Sequence, residues 1–370
     1  MELEIPTDIL REILRRLPVK SLIRFRCVCR SWCAFITSPE FIALHLSRRY
    51  HADDTNILIM LFIQETKKYV LSFHSNNESL DTIAPDLEVP IFHDFGTAGL
   101  LGPSNGIVCI ATRKDICLFN PATRKFRRLP DCPFGCPQDF FRCSEHSGFG
   151  YDPITNDYKV IRLVMLWHLE DRHTYAFRAE IYNLSTNAWR ELDNIYREHL
   201  SNASVSISFK GSLHWSVLDC VLSFHLNSEE FTEIEYPPSY VFTRPGVHNL
   251  AVLDESLALI ICIPDDDYDI HRSIDVWVMK EYGVQGYWIK RFSIASLPNI
   301  NFPLSFRNNN EEEELFIESK DGQLISCVLS NCQEFRKYNV REPSSCVVGI
   351  RPESVLNVVT YRESLIPIQE

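Results

Sequence analysis

Apolar side chains near the start of the chain recur at the spacing of an α-helix. The positions that share one helical face are Ile9, Leu10, Ile13, Leu14 and Leu17, with Arg and Glu side chains opposite. Thr7 is placed to cap this helix and Pro18 to end it. The same spacing predicts two further short helices, over residues 21–28 and 31–37, before Pro39 breaks the pattern. The pattern therefore predicts a module of three short helices.

This helical module carries more apolar surface than it can bury alone. A unit of about 45 residues has little interior, yet its helices are rich in Leu, Ile and Val and include a Trp. The first 50 residues also carry nine basic and five acidic side chains, a net charge of +4. We therefore expect the module to dock on an acidic protein partner.

From His51 onward, short apolar runs alternate with Gly, Pro, Asn, Asp and Ser, which is the pattern of many short β-strands. Pairs of bulky residues recur with turn formers between them, five pairs at a separation of seven and a sixth with a longer turn. The pairs are Phe73 and Leu80, Phe119 and Phe126, Tyr182 and Trp189, Phe224 and Phe231, Val328 and Phe335, and, with the longer turn, Val278 and Trp288. Residues seven apart around a two-residue hairpin loop lie opposite each other on neighbouring strands. We therefore expect each pair to form a cross-strand contact.

The spacing of these hairpins is that of a β-propeller. Their first residues span 255 positions in five steps, from residue 73 to residue 328, a mean of 51. A ring of about six four-stranded blades removes exposed sheet edges and needs no single large core, which fits the modest length of every apolar run. A two-sheet sandwich is the alternative, and it would need far fewer strands. The predicted fold class is α+β and multidomain, with a three-helix module at residues 1–48 and an all-β propeller at residues 51–370.

Charge and targeting signals narrow the class of function. The residues after the first 50 carry 28 basic and 44 acidic side chains, a net charge of −16, which argues against nucleic acid or an anionic membrane as a partner. The start of the chain lacks the features of a signal peptide, and the longest aliphatic run, Leu257–Ile263, is far shorter than the roughly 20 residues that span a bilayer. We expect a soluble cytoplasmic protein, with the nucleus as a second compartment, whose 13 cysteines are reduced and mostly buried.

Four residues in one loop region are of the types that bind Zn²⁺. Cys132, Cys136, Cys143 and His146 could hold the ion, but their spacing is not that of a recognised zinc finger. A surface loop with reduced thiols is the preferred interpretation. The sequence also has no Gly-x-Ser-x-Gly and no His-Glu-x-x-His pattern. We predict no catalytic residue, no metal and no cofactor.

Two acidic runs and one glycine-rich stretch give no better candidate for a metal or phosphate site. Asp265, Asp267 and Asp269 imitate the start of a calcium loop, but the glycine and the glutamate that such a loop requires are absent. Solvated loops are predicted here and at residues 311–314. The glycines between residues 96 and 106 are followed by neither Lys-Ser/Thr nor a helix pattern, so they do not form a phosphate-binding loop.

The N-terminal module closely resembles the F-box. The matching string is Ile5-Pro6-x-Asp8-Ile9-Leu10-x-Glu12-Ile13-Leu14-x-Arg16-Leu17-Pro18-Val19-Lys20-Ser21-Leu22, followed by Arg24-Phe25-Arg26-Cys27-Val28-Cys29-Arg30-Ser31-Trp32. The resemblance implies a docking surface for the acidic Skp-type adaptor of SCF ubiquitin ligases and, through that adaptor, for the cullin and RING subunits. The residues that it places at or just behind this surface are Pro6, Leu10, Ile13, Leu14, Leu17, Pro18, Leu22 and Val28. A plain helical cap on the large domain would explain the apolar stripe but not the order of residue types.

The remaining chain resembles the plant F-box-associated domain. The similar segments are Asn120–Arg124, Gly148–Asp152, Asp157–Val160, Trp189–Leu192 and Val276–Val284. Two further segments, Pro133–Pro137 and Tyr361–Gln369, are similar to the S-locus F-box branch of that family. This branch implies a pollen-expressed SCF subunit that recognises S-ribonucleases and marks them for ubiquitination, and an acidic domain suits such a basic target.

The resulting expectation is a non-catalytic, substrate-recognition subunit of an SCF ligase. The alternatives are a member of the same family with an unrelated target in defence, hormone or stress signalling, a propeller enzyme, and a scaffold outside ubiquitination. We expect the target to contact variable polar loops at one propeller face, with residues 167–175 and 265–273 as candidates.

Overall fold

Four short helices begin the chain in the computed structural model. They are α1 (Thr7–Arg15), α2 (Val19–Phe25), α3 (Arg30–Ile36) and α4 (Pro39–Leu46). The structure describes residues 7–47, 55–63, 66, 68–90, 98–171, 174–192, 204–237, 247–264, 271–283, 287–308, 312–338 and 357–368. None of the helices in this described part is long and apolar enough to cross a membrane.

The fourth helix was not predicted from the sequence. The expected break after α3 is present, but Pro39 also begins a new helix. Ser38 caps that helix, because its hydroxyl accepts a hydrogen bond from the backbone N–H of Phe41, and proline fits the first helical turn. Phe41 then contributes to the buried centre of the module together with Leu14 and Ile36.

Twenty-four strands form six four-stranded antiparallel sheets in the described part of the chain, so the predicted six-bladed β-propeller is confirmed. Blade 1 contains β1 (Thr55–Ile63), β2 (Lys68–Ser75), β3 (Thr82–Glu88) and β24 (Asn357–Arg362). Blade 2 contains β4 (Gly99–Ser104), β5 (Ile107–Ala111), β6 (Ile116–Asn120) and β7 (Lys125–Arg128). Blade 3 contains β8 (Phe140–Asp152), β9 (Asp157–His168), β10 (Tyr175–Asn183) and β11 (Ala188–Leu192). Blade 4 contains β12 (Ile207–Phe209), β13 (Ser212–Ser216), β14 (Cys220–His225) and β15 (Phe231–Glu235). Blade 5 contains β16 (Val247–Leu253), β17 (Ser256–Pro264), β18 (His271–Met279) and β19 (Trp288–Pro298). Blade 6 contains β20 (Ile300–Asn308), β21 (Glu313–Ser319), β22 (Leu324–Val328) and β23 (Phe335–Tyr338).

The last strand of the chain closes the ring. β24 pairs antiparallel with β1, from Thr55 opposite Arg362 to Met60 opposite Asn357, and so becomes the innermost strand of blade 1. The innermost strands β24, β4, β8, β12, β16 and β20 contact one another in this cyclic order. Each blade edge near the axis is therefore covered by a neighbour, which is how a propeller avoids exposed strand edges.

Apolar cores lie between neighbouring blades rather than in one centre. Each of the six neighbouring pairs of blades encloses one cluster of buried residues from the described part of the chain. Trp215 and Phe224 in the cluster between blades 3 and 4 are fully buried, as is Phe119 between blades 1 and 2. Burial of such side chains contributes about 1.5–3 kcal/mol each, so the ring is stabilised at every contact between blades.

Three of the six predicted cross-strand pairs are confirmed. The pairs that lie directly opposite are Phe119 and Phe126, Tyr182 and Trp189, and Phe224 and Phe231, with ring centroids 4.2, 5.3 and 4.7 Å apart. The hairpin loops between them have four, four and five residues rather than the predicted two, and each contains a residue with positive φ at or next to its end. In the first of them Arg124 has φ 56° and donates its N–H to the carbonyl oxygen of Asn120.

The other three predicted pairs are wrong in detail. Phe335 lies opposite Cys327 and Trp288 lies opposite Met279, so in each case the register is displaced by one residue. Phe73 lies opposite Ala84, because irregular pairing between β2 and β3 leaves the predicted partner Leu80 in the turn. The spacing rule holds where the hairpin is regular and fails where the turn is longer or the ladder has a bulge.

The acidic run at residues 311–314 is not the predicted solvated turn in its described part. Residue 311 lies outside the described residues, but Glu313 begins β21 and the side chain of Glu314 is fully buried. Glu314 accepts hydrogen bonds from the buried Arg307, at 2.7 Å, and from Arg336, also at 2.7 Å. Arg307 also donates to the carbonyl oxygen of Asn77 in blade 1 at 2.9 Å. Glu314 therefore supplies the counter-charge for Arg307, and Arg307 in turn joins blade 6 to blade 1 through the backbone of Asn77.

The ring has two distinct ends. The second strands of the blades end at one of them, which we call the open face, at Ile63, Ala111, His168, Ser216, Pro264 and Ser319. The opposite end, the helical face, carries the start of β1 after the four helices and the end of β24 before the C-terminal tail. Because the helices precede β1, they attach to the ring at the end away from the open face.

Candidate functional site

Seven of the eight residues predicted for the adaptor surface are described, and they divide by depth. Leu14 and Leu22 are buried in the centre of the helical module, and Leu10 and Leu17 are half-buried beside them. The exposed members are Pro18, Ile13 and Val28, the last two with 49% and 61% of their surface accessible. Pro6 lies outside the described residues. The exposed members form the outer layer of the predicted surface, and the buried members support it from behind.

One exposed apolar residue of this surface was missed by the sequence prediction. Ile9 is 53% exposed and lies four residues before Ile13 on α1, so the two side chains share one helical face. Its place in the apolar stripe of α1 was visible in the sequence, but it was not assigned to the surface. The same three helices or the residues beside them also carry exposed basic side chains, at Arg11, Arg16, Lys20, Arg24 and Arg30. The combination fits a partner with an apolar groove and an acidic rim.

The C-terminal tail attaches the helices to the propeller. Leu365 is buried in the same cluster as the centre of the helical module, and Ala122 in the β6–β7 loop packs against that cluster. The buried Asn120 side chain fixes both segments. Its Nδ2 donates to the carbonyl oxygens of Ser364 at 3.1 Å and Ile366 at 2.8 Å, and its Oδ1 accepts the N–H of Ala122 at 2.9 Å. The Asn-Pro-Ala-Thr-Arg segment is therefore a structural joint between the two parts of the chain.

A second similar segment forms an ionic contact between blades 3 and 4. Lys159 is buried and donates to Asp152 Oδ2 at 3.2 Å and to Glu229 Oε1 at 3.0 Å. Burial raises the pKa of Asp152, but hydrogen bonds from Thr155, from a backbone N–H and from Lys159 outweigh it and lower that pKa to about 2. Both carboxylates thus stay charged at neutral pH and stabilise the lysine. These residues join blade 3 to blade 4.

The axis of the ring contains a cavity of about 460 Å³. It is lined by the innermost strands, and among its described lining residues the only carboxylate is Glu318 and the only imidazole is His248. Burial lowers the pKa of His248 to about 4, so this ring is neutral at physiological pH. A smaller cavity of about 360 Å³ opens beside it between blades 2 and 3. The smaller cavity is lined in part by Ser144, Glu145, His146 and Ser147, and Glu145 Oε1 accepts hydrogen bonds from Arg142 at 2.5 Å and from Arg162 at 2.8 Å.

The strand ends that flank the two loops predicted to meet a target lie at the open face. The first joins β9, which ends at His168, to β10, which begins at Tyr175, and residues 172–173 of it lie outside the described residues. The second joins Pro264 to His271, and the intervening residues 265–270, with their three aspartates, lie outside the described residues. The topology therefore brings the two candidate loops to the same end of the ring, opposite the helices.

The four residues considered for zinc are not gathered into a metal site. They are all described, and no three His, Cys, Asp or Glu side chains in the described part of the chain are grouped to hold a metal ion. Cys132 Sγ lies 3.1 Å from Glu180 Oε2 as a hydrogen-bond donor, and burial is the main reason that the pKa of this thiol rises to about 11. Its loop is instead fixed by Arg142, which donates to the carbonyl oxygen of Phe134 at 2.7 Å.

Comparison with known protein families matches both parts of the chain. Residues 3–44 match the F-box domain, and residues 59–368 match the F-box associated β-propeller domain. Three similar proteins come from Arabidopsis thaliana. F-box protein CPR1 is 27% identical, over 87% of this chain and 81% of its own length. F-box protein At4g22390 is 24% identical (98% and 90%), and F-box/kelch-repeat protein At3g23880 is 28% identical (81% and 82%). The chain therefore belongs to the F-box proteins that carry an F-box associated β-propeller domain.

Proposed function

We propose that this protein holds the adaptor of an SCF ubiquitin ligase on its helices and presents a target on the open face of its propeller. The F-box implies a substrate-recognition role in an SCF complex, and proteins of this family are non-catalytic. The observation that carries the proposal is that the helices and the strand ends that flank the two candidate loops lie at opposite ends of one closed ring. A target on the open face leaves the adaptor surface free.

The adaptor surface consists of an exposed apolar layer and a supporting layer. Ile9, Ile13 and Val28 are exposed to solvent in the free chain, and the predicted Pro6, Leu10, Leu17 and Pro18 complete their surroundings. Leu14 and Leu22 hold the helices in the shape that presents this layer. The surrounding basic side chains favour an acidic adaptor and increase its association rate. Cullin and RING subunits join through the adaptor.

For the target we propose S-ribonucleases. The support is the similarity of residues 133–137 and 361–369 to the S-locus F-box branch, together with the net charge of −16 outside the first 50 residues. Of these two segments, the first supports the proposal by its place, since it precedes β8, which begins at the open face. The described part of the second segment lies at the helical face, where Leu365 joins the helical module. Such a subunit works in the cytoplasm, with the nucleus as a second compartment.

The test is reconstitution of the complete ligase. Full-length chain, Skp-type adaptor, cullin, RING subunit and ubiquitin-charged E2 are incubated with a panel of S-ribonucleases, and ubiquitin conjugates are detected. The proposal predicts conjugates on a subset of the panel, and their loss when the chain carries Ile13→Asp. Tyr287→Asp is the matched control, since Tyr287 is an equally exposed apolar side chain near the helical face but outside the helices. Absence of conjugates over the whole panel, with the adaptor bound, would remove S-ribonucleases as the target.

A further inference from the structure

Blade 3 extends beyond its neighbour at the open face. Its strands β8 and β9 have 13 and 12 residues, whereas β12, β13 and β14 of blade 4 have 3, 5 and 6. The end of blade 4 at the open face, at Val217, belongs to the same cluster as Leu163 on β9. Trp167 lies four residues further along β9 than Leu163, which at about 3.3 Å per residue places it roughly 13 Å beyond Leu163. The described strands of blade 4 thus leave the end of the blade 3 sheet uncovered.

Three aromatic side chains form a row across this uncovered sheet. Trp167 lies opposite Phe141 on β8 and opposite Tyr175 on β10, so the three residues share one sheet face. Trp167 follows Leu163 by two strand repeats, which places the row on the face directed toward blade 4. Phe141 is 40% exposed and Tyr175 is 38% exposed, with Trp167 half-buried between them. The rings of Phe141 and Trp167 meet edge to face with centroids 6.2 Å apart.

Acidic side chains border this aromatic row. Exposed carboxylates lie at Asp139 just before β8, at Glu170 and Asp171 just after β9, and at Asp219 at the facing end of blade 4. Leu218, beside the last of these, is also exposed and adds apolar surface below the row. Arg172 and His173 fall between the described residues of the β9–β10 loop. The described border is therefore negative around an apolar centre.

We propose that this aromatic row is the anchor site for the target protein, and that it takes an apolar side chain flanked by Lys or Arg. The inference rests on the proposed function, since it names the part of the open face that makes the main contact. Exposed Trp, Tyr and Phe in a partly enclosed position are the residues that dominate protein interfaces. An apolar centre with a negative border selects an apolar and basic surface and rejects an acidic one. Basic S-ribonucleases fit this requirement.

Binding measurements on the purified chain–adaptor complex test the inference. Affinities for the S-ribonuclease panel are measured by calorimetry for the wild type and for Trp167→Ala, Phe141→Ala and Tyr175→Ala. Each substitution should weaken binding about tenfold or more, as expected for residues at the centre of an interface. Glu170→Lys should also weaken binding, and this loss should shrink as salt concentration rises. Thermal melting and retention of the adaptor establish that each variant is folded.

Two control variants and the pattern of failure separate this inference from the proposed function. Tyr287→Ala removes an aromatic side chain of similar exposure, and Glu281→Lys reverses an exposed charge, both on the β18–β19 connection at the helical face. Neither should change affinity. If the wild type binds a ribonuclease and the variants of the aromatic row bind it equally well, the anchor site is overturned while the proposed function stands. If no ribonuclease binds the wild type, the proposed target is overturned and the occupant of the site falls with it.

Discussion

Truncation of Leu365 should loosen the helical module without opening the propeller. Leu365 comes from the C-terminal tail, yet it is 2% exposed and packs among the residues at the centre of the four helices. Leu→Ala at such a site costs about 2–5 kcal/mol. A module of about 40 residues has little stability of its own, so this loss is large for the helices. It is small for the ring, whose cores lie elsewhere.

Hydrogen exchange measured by mass spectrometry is the suitable assay, because it reports each segment separately. In Leu365→Ala, amides of α1 to α4 should exchange at least tenfold faster, while amides of β1 and β24 keep their protection. Ile366→Ala is the matched control, since Ile366 packs against the cluster between blades 2 and 3 instead of the helices. Unchanged exchange of the helical amides in Leu365→Ala, or equal acceleration in both variants, would refute the tail as the joint.

Three further predictions concern the interior of the propeller. Burial lowers the pKa of His214 to about 4 from 6.5, so the unfolded chain binds a proton that the folded chain rejects, and stability falls as pH drops from about 6.5 to 4. His214→Gln should remove up to about 3 kcal/mol of the difference in the free energy of unfolding between pH 7 and pH 4.5, as measured by urea titration at each pH. Glu314→Gln should lower the free energy of unfolding by about 3–5 kcal/mol, because it leaves the buried Arg307 without its counter-charge; a loss no larger than that of a surface Glu→Gln variant would contradict this. Gly106→Ala should lower the melting temperature more than Gly211→Ala, since both glycines have positive φ but only the first would place a Cβ 2.5 Å from the carbonyl oxygen of Arg362 at the end of β24. Equal melting temperatures of the two variants would contradict this.

The architecture was predictable because its cause is local and repeated. Pairs such as Phe119 and Phe126 need only one hairpin to meet, and their recurrence about every 51 residues indicates a blade without any knowledge of the ring. The helices of the N-terminal module were predictable for a similar reason, since they follow the apolar period of α1 and α2, whereas the F-box family was indicated by the resemblance of the residue order from Ile5 to Trp32. The fourth helix was missed because Pro39 was interpreted only as a helix breaker, although Ser38-Pro39 is also a favourable helix start.

Contacts between distant segments could not be predicted from the sequence. Glu314 was expected in a solvated turn because its acidic neighbours indicate exposure, and its partner Arg307 is buried only when blade 6 closes against blade 1. The contact of Leu365 with the helices likewise depends on closure of the ring by β24. For the candidate site, the sequence identified the loop at residues 167–175 by its polarity. It did not identify the row formed by Phe141, Trp167 and Tyr175, because that row depends on the register of three strands.

The most direct test of the whole account is adaptor capture by the full chain. Purified chain and Skp-type adaptor are mixed and analysed by size-exclusion chromatography with light scattering. We predict a one-to-one complex for the wild type and for Tyr287→Asp, and no complex for Ile13→Asp, whose exposed position allows the variant to fold. A wild-type chain that does not bind the adaptor, or a folded Ile13→Asp chain that binds it as tightly as the wild type, would contradict the account.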